Sequence, residues 1–413
     1  MQEKSKLKIL IIGKGGREHA LALKAKQSSL VEKVFIAPGN IGMKDVGELV
    51  DIDGTNIKAL SNFAKKENID LTIVGPESSL SLGVVDEFEQ NNLSIFGPSK
   101  EAAQIEVSKD FAKKLMKKYS IPTASYKSVE SLSDGLEFLK TQKIPIVIKE
   151  DGLKAGKGVS VCFSYEDAKK ALQNAFSVEH NKVLIEEYLD GIEFSIIALV
   201  HNDKVLSLEI AQDYKRAYDG HKGENTGGMG AYSRVDMVSE DIVDEAKKKI
   251  LQPLAFGMNE DKIPFSGFLY AGVMATKEGV KTIEFNARFG DPEAQILLPR
   301  LKSDLIHTIL ELKKGNVSKL EWDKDYVLGV VLASKNYPQT PEINKGIIFK
   351  KPMKSEVYYM GVGQKDTKLV TKGGRILTLV TKASNIEKAR EIIYEDLKNI
   401  ACEGSFYRKD IGF

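Results

Sequence analysis

Cysteine is nearly absent from this chain: Cys162 and Cys402 are the full complement, far apart and in no metal-binding spacing. That excludes a disulfide scaffold and makes a reducing, cytoplasmic setting the expectation. Histidine is scarce too. His19, His180, His201, His221 and His307 form no His-x-x-x-His pair, which argues against a zinc centre. Neither sign of charge is in excess, since 60 Lys and Arg meet 58 Asp and Glu for a net +2. Such a balance gives no reason to expect non-specific binding to nucleic acid or to a membrane. Long apolar runs are missing as well. The run at residues 9–12, behind Lys4, Lys6 and Lys8, stops at Gly13 and is too short for a signal-peptide core or a membrane span. Internal repeats, low-complexity tracts and heptads are not seen.

What is present fills more than one domain. A chain of 413 residues with 42% hydrophobic content predicts two to four units. Strand-like segments at 7–12, 34–37, 71–74 and 94–96 alternate with helical ones at 18–27, 57–67 and 84–90. That order predicts a doubly wound parallel sheet. Its Gly- and Pro-rich turns all follow strand C-terminal ends, where ligands bind in such sheets. The first turn, Gly13-Lys14-Gly15-Gly16-Arg17-Glu18-His19-Ala20, is not a dinucleotide fingerprint. Glu18 stands at the third glycine position, and the second strand ends in Ala37-Pro38 with no acid for a ribose. A helix N-terminus there still suits a phosphate, with Arg17 adding charge. A tight turn that needs glycine for its backbone explains the glycines but not Arg17.

A long helix over 101–119 carries Lys109, and Pro122 starts a new unit. A helix at 131–142 leads to a strand at 145–149 bearing Lys149. The glycine-rich basic loop 151–158 follows, then a strand at 159–163. Because no helix follows the loop, it is not a P-loop. It reads either as a lid over a polyphosphate or as an exposed hairpin tip, and a lysine inside the adjoining strand favours the lid. Strands at 183–187 and 193–200 meet at a hinge whose peptide groups suit an adenine edge, with Glu193 placed for ribose hydroxyls. For Glu186 an ordinary hairpin acid is an equal reading. An irregular stretch of about 25 residues holds Asp213, Lys215 and Gly227–Gly230, and loops of that length are usually functional or disordered. Finally, 281–286 pairs with 268–274 through Lys277-Glu278-Gly279. That places Glu284, Asn286 and Arg288 in one row on a central strand, where an unpaired charge is costly. Carboxylate, amide oxygen and guanidinium in a row suit a divalent cation beside a phosphate. After Trp322 a small α+β unit closes the chain.

Lysine strand, Gly-Lys loop, two-acid hinge and Glu-x-Asn strand together are similar to the ATP-grasp superfamily. Within it, "GGREHA", "APGN", "VGPE", "FGPS", "IKEDGLKAGKGV", "IEEYLDG", "NTGGMGAYS", "IEFNARFGDPE" and "YRKDIGF", in that order, resemble the glycinamide ribonucleotide synthetase family from about residue 7 to residue 413. The resemblance implies an α/β and α+β multidomain architecture. An N-terminal α/β substrate domain would span 1–103. The ATP-grasp core lobe would span 104–122 and 194–325, the lid lobe 123–193, and a C-terminal α+β domain 326–413. It implies ATP-dependent ligation of glycine to 5-phosphoribosylamine through glycyl phosphate. It also implies Mg²⁺ or Mn²⁺, a cytoplasmic setting and a monomer, without nucleic acid or membrane. Another purine-pathway ATP-grasp ligase is the alternative.

Carried over residue by residue, Lys109, Lys149, Gly156, Lys157 and Gly158 would hold ATP phosphates. Glu186, Glu187 and Leu189 would take the adenine, and Glu193 the ribose. Glu284 and Asn286 would ligate the cation, and Arg288 would neutralise the transferring phosphoryl group. Gly15, Gly16, Arg17, Glu18, Asn40 and Glu77 would form the phosphoribosylamine side. Asp213, Lys215, Gly228, Met229 and Gly230 would shape the glycine and acyl-phosphate pocket, and Asp291 would reach the substrate side. Three departures from the family pattern stand out: Tyr214 where histidine is common, Glu150 where alanine is usual, and Ser78-Ser79 for a frequent Ala-Pro.

Overall fold

The computed structural model describes residues 6–154, 158–178 and 181–413. The N-terminal part is a five-stranded parallel sheet in the order Glu48–Leu49, Val31–Pro38, Leu7–Gly13, Leu71–Val74, Ile95–Phe96. Ile9, Leu10, Ile11 and Ile12 are all fully buried, because helices cover both faces of the strand and leave no polar side. The strand order reverses beside Leu7–Gly13. There Gly13 and Gly75 close on the side chain of Glu18: a Cβ on Gly13 would lie 2.4 Å from Glu18 Cγ, and one on Gly75 2.0 Å from its Oε1. Glu18 thus fills the space that a third fingerprint glycine would leave open.

The helix expected over 101–119 is two helices, Gln104–Val107 and Lys109–Lys118. Ser108 interrupts them in an extended conformation (φ −121°, ψ 113°) and caps the second helix through Phe111 N–H. Lys109 therefore opens a helix and is not inside one.

The lid lobe has an antiparallel sheet in the order Tyr126–Val129, Val183–Glu187, Ile146–Glu150, Val159–Cys162. Helices Leu132–Leu139 and Tyr165–Ala175 pack on it around their own small core, which includes Ile146, Ile148, Leu172 and Ile185. The core lobe is a second antiparallel sheet, ordered Lys204–Ser207, Ile192–His201, Ser266–Thr276, Gly279–Asn286. The hairpin through Lys277-Glu278 forms as expected, but the strand Gly279–Asn286 is at the edge of its sheet, not at the centre. Its edge is nonetheless covered. Thr282 N–H donates to Pro122 O and Thr123 Oγ1 to Thr282 O, both at 2.7 Å. The burial argument for the charged row survives because the interlobe linker, and not a further strand, supplies the cover.

The C-terminal sheet is ordered Gln212–Asp213, Gly230–Ser233, Tyr326–Ala333, Arg375–Ala383, Glu356–Tyr359. Two short strands from the irregular stretch around 211–235 thus join a sheet built mainly by the last 90 residues or so. Between helices Glu240–Ala246 and Gln252–Glu260 lies a wider turn, Lys247–Leu251, just ahead of Pro253, which has no N–H to give to the carbonyl one turn back.

Candidate active site

Where the strand Gly279–Asn286 pairs with Ser266–Thr276, Glu284 opposes Gly272 and Thr282 opposes Val273. Ile283 is the extra residue of a β-bulge, so its carbonyl is free of the ladder. Lys149 Nζ takes that carbonyl at 2.9 Å and Glu186 Oε2 at 3.0 Å. The same Glu186 oxygen pairs with Lys113 Nζ at 3.1 Å, and all three side chains are buried. Lys113 further donates to Thr123 Oγ1 at 2.9 Å, and burial lowers it to about 8 against the pull of Glu186. Among the described residues Glu186 Oε1 is buried with no hydrogen-bond partner, an acceptor left open.

Lys109 Nζ donates to Gly152 O at 2.9 Å, and Asp151 Oδ1 accepts Lys109 N–H at 2.6 Å. The start of the Gly-Lys loop is thereby pinned to a helix N-terminus. Gly156 and Lys157 lie outside the described residues; Gly158 O accepts Glu150 N–H at 2.8 Å. Glu150 does not face the phosphate side. It alternates away from Lys149 and pairs with Lys154 at 2.8 Å and Asn181 at 3.0 Å. Glu187 is tied to Ser125, whose N–H and Oγ both lie 3.1 Å from its Oε2, and Leu189 follows in the half-exposed junction.

Three further acids and one lysine meet beside Glu284. Lys215 Nζ bonds Glu193 Oε1 and lies 3.9 Å from Glu284 Oε1. Burial opposes the charge on Lys215, yet Glu193, Tyr270, Asp213 and Glu284 outweigh it and raise its pKa well above the usual value. Glu284 shows the converse: burial works against its carboxylate, but Lys215, Lys149, Lys109 and Arg288 together lower its pKa. Asp213 is raised well above the carboxylate range by burial, against the attraction of Lys215 and with Glu293 adding repulsion. Glu293, buried at the start of helix Glu293–Leu297, is also raised by burial; Ser195 Oγ donates to it at 3.1 Å. Ser195 in turn meets the Tyr270 hydroxyl at 2.9 Å.

Asn286 closes the row. With its amide set to donate, it gives N–H to Glu106 Oε1 at 3.1 Å and to Phe285 O at 3.3 Å, which leaves its oxygen as an acceptor. Among the described residues no three His, Cys, Asp or Glu side chains form a metal cage. One carboxylate and one amide oxygen fit a hard cation that draws its remaining ligands from phosphate and water.

Arg288 has protein partners on all three of its nitrogens. Its Nε donates to Glu77 at 3.2 Å, Nη1 to Phe289 O at 3.2 Å, and Nη2 pairs with Glu106 at 3.0 Å. It clamps the N-terminal domain to the core. Burial would raise Glu77, but Arg288 and Arg17 prevail and hold it near 2. Arg17 also turns inward, to Glu18 Oε1 at 2.6 Å and Phe289 O at 3.1 Å. Gly15 N–H is taken by Glu18 Oε2 at 2.6 Å. The Asn40 amide holds the turn to the C-terminal domain, donating to Lys14 O at 2.8 Å and Tyr359 O at 3.1 Å.

The Gly227–Gly230 stretch is likewise a packing device. Met229 is fully buried with N–H and carbonyl both paired, to Tyr214 and Val331. Gly228 has φ +106°, and a Cβ there would meet Pro292 Cδ at 2.5 Å. A Cβ on Gly230 would meet Gly329 O at 2.5 Å, and one on Gly16 would meet Gln295 Nε2 at 2.4 Å. Tyr214 faces the chain's end: its hydroxyl accepts Gly412 N–H at 3.1 Å, and Arg408 lies over its ring at 4.9 Å. Sequence reasoning missed Glu106, Lys113, Ser195, Tyr270 and Arg375. Only Arg375 carried a local signal, the Gly373-Gly374 pair ahead of it, of the same kind as Gly15-Gly16 ahead of Arg17.

Profiles described as the N, ATP-grasp (A) and C domains of phosphoribosylglycinamide synthetase match residues 7–106, 107–294 and 327–413. The chain belongs to the phosphoribosylglycinamide synthetase family. It is 50% identical to the phosphoribosylamine–glycine ligase of Lactococcus lactis, covering 98% of this chain and 99% of that one. The corresponding ligase of Halalkalibacterium halodurans is 47% identical, with 98% and 96% covered. The crystal structure of the Thermotoga maritima phosphoribosylamine–glycine ligase superposes with a TM-score of 0.86 at 32% identity, covering 98% of this chain and 100% of that chain. A biotin carboxylase domain from Hydrogenobacter thermophilus shares the fold alone, at TM-score 0.72 and 13% identity, over 98% and 92% of the two chains. No described helix of this synthetase-family chain is long and apolar enough to cross a membrane.

Proposed function

We propose that this chain ligates glycine to 5-phosphoribosylamine with ATP, through glycyl phosphate, releasing ADP and phosphate in de novo purine biosynthesis. Family membership and the names of the full-length relatives support the ligase class. The observation that carries the substrate is the cluster of two acids, Asp213 and Glu293, that both feel the charge of Lys215. Glycine is a zwitterion. Its ammonium group needs carboxylates and its carboxylate needs cations. Asp213 and Glu293 are both pushed up by burial, with repulsion from Glu293 adding to Asp213, so a cation brought beside them favours their charged forms. Lys215 and Lys149 lie beside Glu284 to steady the carboxylate and the phosphoryl group approaching it.

In the first step a glycine carboxylate oxygen attacks the γ-phosphorus, the bond to the β-phosphate oxygen breaks, and ADP leaves. The amine nitrogen then attacks the carbonyl carbon, the carbon–oxygen bond to phosphate breaks, and the nitrogen loses a proton. Positioning and charge neutralisation govern such transfers. Lys109 and Lys149 hold the phosphates. Glu186, with its free Oε1, faces the adenine, and Glu193 the ribose of ATP. Glu284 and Asn286 hold Mg²⁺ or Mn²⁺, which when bound supplies charge neutralisation among the phosphate oxygens. Glu77 and Glu18 border the phosphoribosylamine side. The reading assumes a cytoplasmic monomer.

Hydroxylamine tests the intermediate, because it converts an acyl phosphate to a hydroxamate. With ATP, glycine, Mg²⁺ and hydroxylamine in place of the amine, glycine hydroxamate should form together with ADP. ADP release with no hydroxamate under those conditions would reject glycyl phosphate.

A further inference from the structure

Arg375 opens the C-terminal strand Arg375–Ala383, yet its guanidinium lies in the core lobe. Nη1 donates to Gly227 O at 2.6 Å and to Asp291 O at 2.8 Å, and Nη2 pairs with Asp291 Oδ2 at 3.0 Å. Both side chains are largely buried, at 17% and 13% exposure. The other Asp291 oxygen accepts Gln295 Nε2 at 2.7 Å. The junction has no slack. A Cβ on Gly227 would stand 3.2 Å from the Arg375 guanidinium, and one on Gly374 would stand 2.2 Å from the Tyr337 ring. Tyr337, also from the C-terminal domain, accepts Gly227 N–H at 3.0 Å. On its far side, Asp291 Oδ2 lies 3.5 Å from where a Gly15 side chain would begin. Asp291 is therefore a carboxylate at the N-terminal glycine turn, and its counter-charge comes from the C-terminal domain.

We propose that Arg375 is a positioning residue through which the C-terminal domain completes the acceptor half of the site: it fixes Asp291 and cancels its charge where a phosphorylated amine enters. This rests on the functional reading above. The amine substrate carries a phosphate, and an uncompensated carboxylate in its cleft repels it across several ångströms of poorly screened space. ATP binds against Lys109, Lys149 and Glu186, in the other half of the cleft.

The prediction is a charge signature that a purely structural arginine would not give. R375M should raise KM for phosphoribosylamine at least tenfold and leave KM for ATP within twofold. Adding D291N to R375M removes the repelling carboxylate and should recover most of that KM. R375K keeps the charge but not the fork, and should fall between wild type and R375M. An R375M enzyme with KM for the amine within twofold of wild type overturns the inference. So does a double variant no better than R375M, or an R375K enzyme as poor as R375M. Should R375M not fold, R375K decides the matter: it should raise KM for the amine more than twofold and leave KM for ATP within twofold of wild type, and an R375K enzyme with both KM values within twofold of wild type overturns the inference. A wild-type chain that does not turn over phosphoribosylamine at all instead refutes the functional reading.

Discussion

At the scale of single residues, the site is set by which charges have partners. Glu284→Gln keeps the shape of the side chain and removes the negative charge that Lys215, Lys149 and Lys109 stabilise. Its half-maximal Mg²⁺ concentration should rise at least tenfold while the circular dichroism spectrum is unchanged; unaltered metal dependence would remove Glu284 from the cation site. Asp213 makes a pH prediction. Its folded pKa is raised, so it favours the folded state while neutral, and that contribution is lost as pH rises through the raised value. Asp213→Asn, which cannot ionise, should therefore gain thermal stability relative to wild type at alkaline pH, and the gain should fade toward pH 4. A constant difference across pH would show that Asp213 is not held neutral by burial. Glu77 has the opposite sign. Its stabilising pair with Arg288 is fully present above 4.5 and is lost as pH falls through about 2. Glu77 is about a third exposed, so E77Q should cost about 1 kcal/mol near neutral pH, below the roughly 3 kcal/mol that the shift alone implies.

At the scale of elements, alternation placed Glu284 and Asn286 on one face, and that much was legible because a strand's period is two whatever lies beside it, whereas Arg288, expected in the same row, lies in a bend past the strand's end. The bulge at Ile283 was not legible. It depends on the partner strand, and it is what frees the carbonyl that Lys149 binds. The break at Ser108 had a local signal in the cap itself, but the helical pattern on both sides of it read as one run. The irregular loop hid the two strands it gives to the C-terminal sheet because Gly230–Ser233, which pairs with Gln212–Asp213, has its other partner, Tyr326–Ala333, about 90 residues downstream. The family motifs named most of the cleft's residues. They did not show which ones face substrate: Arg17, Asn40 and Met229 turn to protein partners, and only coordinates show where a side chain points. The lid lobe's separate core permits a test confined to that element. Leu172→Ala, at a fully buried position, should cost about 2–5 kcal/mol. The lost hydrogen-exchange protection should be confined to the sheet Tyr126–Val129, Val183–Glu187, Ile146–Glu150, Val159–Cys162. Loss that spread evenly through the parallel N-terminal sheet would contradict an independent lobe.

At the scale of the whole molecule, the cleft is assembled by every part of the chain. The N-terminal sheet brings Glu18 and Glu77, the lid lobe Lys149 and Glu186, the core Glu284 and Glu293, and the C-terminal domain Arg375. His19 joins two of these parts. Its Nδ1 accepts Tyr359 N–H at 3.0 Å, and burial lowers it from 6.5 to about 4. It therefore stabilises the contact while neutral, fully above 6.5, and the contribution disappears as pH falls through about 4. The stability difference between wild type and H19Q should shrink over that window.

The central claim is that this cleft couples ATP cleavage to joining glycine with a phosphorylated amine. ADP release by the purified chain, measured with each component omitted in turn, tests it most directly. Sustained turnover should require ATP, Mg²⁺, glycine and phosphoribosylamine together, with one glycinamide ribonucleotide formed per ADP. Equal ADP release in the absence of both glycine and the amine would contradict the account.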